Sequence, residues 1–344
     1  MIMISLISTV LNEEDSIRDF LESILNQSLL PDEIIIVDGG SKDRTYEILK
    51  EYEKKYSFIK VIQERGANIA RGRNIAIKNS SGIIIVTADA GCKYDKDYIK
   101  EITKPLLKYI LSNIEKFNIK KDEFLKYLKS KGIDIKELEN IEEGEFVQGV
   151  YYPLYDNKFG KYAGFMLVKD PKKQYKVPSR TSARATAYFK YIWEEIKGYP
   201  ENYVTGEDTR FHLEILNKKY KWVMNENAKV YWKMPKDIKE FYKKFEKYAI
   251  GDVLQGNIFK YKRLLIFFIG FWILIFILIL SLILNFKLFI FIISLIILYL
   301  LYLAVRYYIK TKDPLTIIYI PILELTRRLA YQIGFIKGLY KKLL

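Results

Sequence analysis

From Leu264 to Leu284 the chain runs 21 residues without a charge, enough as a helix to cross about 30 Å of hydrocarbon. A second apolar run, Leu288 to Val305, follows after only Asn285 to Lys287, so the two form a tight transmembrane hairpin with both ends on one side. Lys260, Lys262 and Arg263 precede the hairpin and Arg306, Lys310 and Lys312 follow it, against a lone Lys287 in the turn. Basic flanks stay in the cytoplasm, so the hairpin ends and everything N-terminal to them are expected there. The first ten residues agree, reading as a buried strand rather than a signal peptide. A single cysteine, Cys92, permits no internal disulfide and suits a reducing compartment.

The hairpin, residues 264–309, partitions the rest. Residues 236–263 read as a basic amphipathic segment lying on the membrane, with Phe241, Phe245, Tyr248 and Ala249 among Lys239, Lys243, Lys244 and Lys247. Residues 310–344 read as a basic interfacial helix, because their apolar run stops at Glu324, Arg327 and Arg328, too short to span; a re-entrant segment is the alternative. Residues 1–235 remain as one globular domain. The 28 tyrosines and 20 phenylalanines exclude a disordered chain. The net charge of +15 gathers largely around the membrane segments and no nucleic-acid motif accompanies it, so no nucleic-acid partner is expected.

Within the globular part, short β-rich runs alternate with longer amphipathic ones, the pattern of βαβ units and an α/β fold. Strands are expected at Ile4 to Ser8, Glu33 to Val37, Ile59 to Ile62 and Ile83 to Thr87, with helices at about 13–27, 43–56 and 67–79. Residues 104–145 turn lysine- and glutamate-rich at helical spacing and read as an inserted helical pair. Further strands are expected at Phe146 to Tyr152 and Arg184 to Lys190, and helices at Tyr191 to Ile196 and Thr209 to Asn217, making the sheet mixed. Open α/β sheets bind ligands beyond the carboxyl ends of their strands. That rule gathers Asn12, Glu13, Asp38, Gly39, Gly40, Arg65 and Asp89.

Three stretches in order, SLISTVLNEEDSIRDFLESILNQSLLPDEIIIVDGGSKDRT from Ser5, ANIARGRNIAIKNSSGIIIVTADAG from Ala67 and YVTGEDTRFHLEIL from Tyr203, resemble family 2 glycosyltransferases. The resemblance covers residues 1–235 apart from the insertion and implies a GT-A fold: a Rossmann-like mixed sheet flanked by helices, here with a C-terminal transmembrane hairpin. It implies a nucleotide-diphosphate sugar as donor, bound by Asn12, Glu13, Asp38, Gly39, Arg71, Asn74 and Asp89. Asp89 resembles the first acid of the family's Asp-X-Asp motif, which holds Mg²⁺ or Mn²⁺ on the donor diphosphate; Gly91 stands where the second acid would be. Glu207 and Asp208 resemble the family's acidic pair, with Asp208 as general base and Glu207, Ser179 and Arg180 on the acceptor side. No Gln-X-X-Arg-Trp motif of the processive members is present, so a single addition is expected.

Each residue also has a plainer reading. Asp38 can close an Asx turn with Ser41 and Asp43 nearby, Asn12 can cap a helix, and Arg71, Arg73 and Asn74 can form a solvated helix face. Glu207 and Asp208 can favour a helix N-terminus, and His212 beside them reads as a surface helix position. The expected function is an inverting sugar transfer to a membrane-associated acceptor, a polyprenyl phosphate or lipid-linked glycan. The alternative is a noncatalytic membrane-bound nucleotide-sugar binder or scaffold.

Overall fold

Four parallel strands form where the apolar runs fall: β1 (Ile4–Val10), β2 (Glu33–Asp38), β3 (Ile59–Gln63) and β4 (Ile84–Asp89). Ile34 to Val37 and Ile84 to Val86 are fully buried, as strands covered on both faces require. The computed structural model describes residues 3–168, 182–203, 205–256 and 262–343. β1 pairs in parallel with β2 and β4, and β2 with β3. The register sets Val10 opposite Asp38 and Thr9 opposite Asp89, so two carboxylates emerge at one level on either side of the end of β1.

Helices α1 (Ile17–Leu25), α2 (Thr45–Lys55) and α3 (Ile69–Lys78) link these strands. α1 turns Ile17, Phe20, Leu21 and Ile24 inward at helical spacing, and α3 starts where the Asn68 side chain accepts the Arg71 N–H at 2.9 Å. The sheet continues through β5 (Cys92–Tyr94), β6 (Phe146–Leu154), β7 (Thr186–Phe189) and β8 (Trp222–Lys233), in the order β3-β2-β1-β4-β7-β6-β8-β5. β7 runs antiparallel to β4 and β6, and β5 to β8, so the sheet is mixed.

Between β5 and β6 lie three helices, α4 (Tyr98–Ser112), α5 (Lys121–Ser130) and the short α6 (Lys136–Glu139), rather than a pair. The first begins before residue 104 and buries Tyr98, Ile99, Ile102, Leu106 and Ile110 in the core of the sheet, so it belongs to the fold proper. The strand expected from Arg184 starts at Thr186, after a 3₁₀ turn at Ala183–Ala185. α8 (Lys190–Ile196) and α9 (Glu207–Asn217) follow.

A second unit comprises Leu154–Leu167, Tyr203–Thr205 and Met234–Leu344. It contains α7 (Lys158–Leu167), α10 (Ile238–Leu254), α11 (Lys262–Leu284), α12 (Phe286–Thr311) and α13 (Thr316–Leu343). α10 and α13 pack so closely that a Cβ on Gly334 would collide with the Glu246 carbonyl oxygen. Tyr162 of α7 packs with Phe241 and Leu323, stacks on Tyr319 with ring centres 4.4 Å apart, and donates its hydroxyl to Asp313. α11 and α12, with mean hydropathy 3.1 and 3.0, are long and apolar enough to cross a membrane. Their exposed leucines, isoleucines and phenylalanines would form an unusually large apolar patch in water, and fit a membrane anchor.

Candidate active site

At the carboxyl end of the sheet the β1–α1 and β2–α2 turns are stitched together. Asn12 takes the left-handed conformation, φ 55°, which asparagine tolerates better than most residues. Its N–H donates to Ser41 Oγ and its Oδ1 accepts from Lys42 N–H, both at 2.8 Å. The Glu13 N–H donates to Thr45 Oγ1 at 2.7 Å. Asp38, fully buried, accepts from Gly40 N–H, Ser41 N–H and Gln63 Nε2, each at 3.1 Å, and from the Ser41 hydroxyl. The Asx turn therefore exists, and it presents Asp38 already fixed. Gly39 is held close, since a Cβ there would meet the Ala67 carbonyl oxygen at 2.9 Å.

A second group is built around Arg73, whose side chain is only 4% exposed. Its Nη2 donates to Asp89 Oδ1 at 2.8 Å and its Nη1 to Glu207 Oε1 at 2.7 Å, joining the end of β4 to the start of α9. Burial alone would favour loss of the Arg73 proton, but Asp89 and Glu207 outweigh it and push its pKa up. Burial pushes the Glu207 carboxyl up, the neighbouring Asp208 and Asp89 acting the same way and Arg73 opposing. Asp208 responds oppositely: although burial raises it, His212, Arg73 and the N–H groups of Ala183 and Thr209 hold it below the usual carboxylate range. Its Oδ2 accepts the Ala183 N–H at 3.2 Å and its Oδ1 the Thr209 N–H at 2.7 Å. His212 is not on the surface; it is fully buried with its ring 5.0 Å from Phe146, because α9 turns that face to the core.

Arg184 was not among the candidates. Its guanidinium lies 3.7 Å from the Trp232 ring and 5.2 Å from that of Tyr151, while its Nε is 3.9 Å from Asp89 Oδ2. Tyr94 fixes this arrangement: its hydroxyl accepts from Asp89 N–H at 2.8 Å and donates to the Arg184 carbonyl at 3.0 Å. The Glu13 carboxyl is pushed up by burial first and by Asp89 as well, with Ser16 and Lys233 opposing, so Glu13, Asp89 and Lys233 act on one space.

Two candidates point elsewhere. The Asn74 amide is fully engaged: Nδ2 donates to Tyr199 O and Glu201 Oε1, both at 2.9 Å, and Oδ1 accepts from Trp193 Nε1 at 2.9 Å and Tyr199 N–H at 2.8 Å. It braces α3 against the α8–α9 connection and keeps no group for a donor. Arg71 is exposed and paired with Glu64. Ser179 and Arg180 lie outside the described residues.

A divalent ion on the donor diphosphate would need hard oxygen ligands. Arg184 stands beyond hydrogen-bonding length from Asp89 Oδ2, which leaves that oxygen able to serve. Gly91 adds no carboxylate, and among the described residues no three His, Cys, Asp or Glu side chains converge as a ready metal site. The fit is that of a single protein ligand, with phosphate and water making up the rest.

Comparison with known proteins gives two adjoining matches. The family model described as "Glycosyl transferase family 2" covers residues 5–166 and that of "Glycosyl transferase family group 2" residues 178–305. A Methanococcus voltae dolichyl N-acetyl-alpha-D-glucosaminyl phosphate 3-beta-D-2,3-diacetamido-2,3-dideoxy-beta-D-glucuronosyltransferase is 28% identical over 98% of this chain and 97% of that protein. The structure of a Pyrobaculum calidifontis mannosyltransferase in complex with GDP-Man and Mn²⁺ is 17% identical, with TM-score 0.49 over 73% of this chain and 62% of that one. Residues 1–349 of S. aureus TarS in complex with UDP-GlcNAc are 14% identical, with TM-score 0.47 over 99% of this chain and 92% of that one.

Proposed function

The chain belongs to glycosyl transferase family 2, and we propose that it transfers one sugar, with inversion, from a nucleoside diphosphate sugar to a lipid-linked acceptor at the cytoplasmic face of a membrane. The observation that carries this reading is the Arg73 bridge, which ties the donor-side acid Asp89 to the helix bearing Asp208. Asp38 and the Asn12–Glu13 turn receive the nucleoside, and Arg184 and Lys233 face the diphosphate. Asp89 would hold Mg²⁺ or Mn²⁺ together with that diphosphate, and such an ion would offset charge on the leaving group.

Asp208 takes the proton of the acceptor hydroxyl as the oxygen attacks the anomeric carbon; the bond from that carbon to the diphosphate oxygen breaks, and the diphosphate leaves with the electron pair. With its carboxyl held below the usual range, Asp208 is ionised at neutral pH and is a weak base, so it accepts the proton as the new bond forms rather than before. Attack opposite the leaving group inverts the anomeric centre. The acceptor class is supported by the membrane-fitting helices α11 and α12 and by the dolichyl-linked substrate in the name of the Methanococcus relative. Both flanks of the hairpin are basic, which supports the cytoplasmic orientation.

The test is a panel of UDP-, GDP- and dTDP-sugars, with isoprenyl phosphates and lipid-linked sugars as acceptors and with Mg²⁺, Mn²⁺ or chelator. One donor should yield a lipid-extractable product of inverted configuration, at a rate reduced by chelation. Retained configuration, or release of free sugar alone with every acceptor, overturns the reading.

A further inference from the structure

A cluster of charge in an apolar setting lies on α13. Glu324 is 3% exposed, and its carboxylate holds two guanidinium groups: Arg327 donates through Nε at 2.9 Å and Nη2 at 2.8 Å, and Arg328 through Nε at 2.7 Å. The i+3 and i+4 spacing puts both arginines on one face. Arg328 also donates from Nη2 to the Tyr299 hydroxyl of α12 at 2.7 Å. Its guanidinium stands 5.2 Å from the Tyr299 ring and 5.3 Å from that of Phe267 in α11. Three helices converge on one cation.

The location is apolar on both partner helices. Tyr299 sits in the uncharged run 288–305, about 9 Å by helical rise from the end of that run at Val305. Phe267 lies near the same-side end of α11. Guanidinium groups at such depth are costly unless paired, yet two arginines share one carboxylate. Each guanidinium has five N–H donors, and the arginine side chains remain 40% and 29% exposed, so donors are left for a further anion. Planar donor forks of this kind suit phosphate.

α11 and α13 also line a groove. Phe267 meets Tyr331 edge-on, and Phe268 stacks on Phe335 with ring centres 3.8 Å apart. From there Phe268, Ile269, Trp272, Ile273 and Phe276 of α11, with Ile336 of α13, line an almost wholly apolar space of 530 Å³. We propose that Glu324, Arg327 and Arg328 form a seat for the phosphate of an isoprenoid phosphate lipid whose chain lies in this groove. Two guanidinium groups against one carboxylate leave a net charge of +1, which offsets the single charge of a phosphodiester and the greater part of a monoester's. The choice of an isoprenoid chain rests on the acceptor class proposed above; the phosphate seat does not.

The test uses the full chain in nanodiscs, measuring binding of dolichyl phosphate, phosphatidylglycerol and inorganic phosphate, with nucleotide binding and thermal melting as controls. The wild type should prefer dolichyl phosphate, and Arg327→Gln with Arg328→Gln should weaken it at least tenfold while leaving nucleotide affinity unchanged. Should that double variant melt early, Arg327→Gln alone, at the more exposed position, should still weaken binding severalfold. Undiminished binding in a folded variant overturns the proposal, as does equal preference for phosphatidylglycerol or displacement by inorganic phosphate at comparable concentration. Arginine-dependent lipid binding without sugar transfer would instead remove the transfer reading and leave the seat standing.

Discussion

Asp38 and Asp89 leave the two strands that flank β1 at one level, yet they are held in opposite ways. Asp38 is fixed chiefly by its own turn, through Gly40 and Ser41 within three residues. Asp89 is fixed by Arg73, which reaches Glu207 134 residues further along the chain. The first is a local device that forms whenever its strand forms. The second exists only once the whole sheet has closed, because β7 and α9 must be in place to complete it. Nucleotide recognition and chemistry should therefore fail separately.

The largest effect expected is on chemistry alone. Asp208→Asn should lower kcat by about 10²–10⁴-fold, the usual contribution of a positioned base, with donor affinity retained by calorimetry; a kcat within threefold of wild type would remove Asp208 from the mechanism. Arg73→Met leaves Glu207 buried without its partner and should cost about 3–5 kcal/mol in denaturant unfolding, with activity lost. Asp38→Asn sets an amide NH2 against donors that the carboxylate accepts from, and should cost about 1–3 kcal/mol in denaturant unfolding, less than Arg73→Met, while weakening nucleotide binding by a similar amount. If Asp38→Asn destabilises as much as Arg73→Met, the contrast between local and closing devices is wrong.

Arg184→Lys keeps a charge but loses the flat contact with Trp232, and should reduce kcat/KM by about 1 kcal/mol, or roughly fivefold. The smallest effect concerns pH. Glu207 is raised and Asp208 lowered, so on acidification Glu207 gains its proton first and weakens the Arg73 bridge while Asp208 is still ionised. The acid limb of kcat should therefore belong to Glu207, and Glu207→Gln, which cannot titrate, should move that limb to lower pH in a pH–rate profile.

The four parallel strands were legible because each is a bounded apolar run, and the loop acids followed from the rule about strand ends. β8 was not, since Asn225, Glu226 and Asn227 interrupt its alternation, and β5 is only three residues long. Arg73 did carry a signal: Ala70, Ala76 and Ile77 are buried along the same stripe of α3, so an arginine there had to be paired inside. Arg71, two residues earlier, faces solvent. Arg184 carried none, because its neighbours Trp232 and Tyr151 come from distant strands. Asn74 misled for a related reason: a polar side chain near a helix start does not reveal that Trp193 and Tyr199 saturate it.

The Tyr94 phenol, lodged between the amide of Asp89 and the carbonyl of Arg184, works as a spacer one oxygen wide. It sets the separation of the two main-chain segments that carry the acid and the guanidinium by bond lengths. Removing that oxygen by Tyr94→Phe strands two main-chain groups at once. On the proposed function, the spacing of Asp89 and Arg184 about a diphosphate is then set by the main chain, whatever side chains meet the sugar.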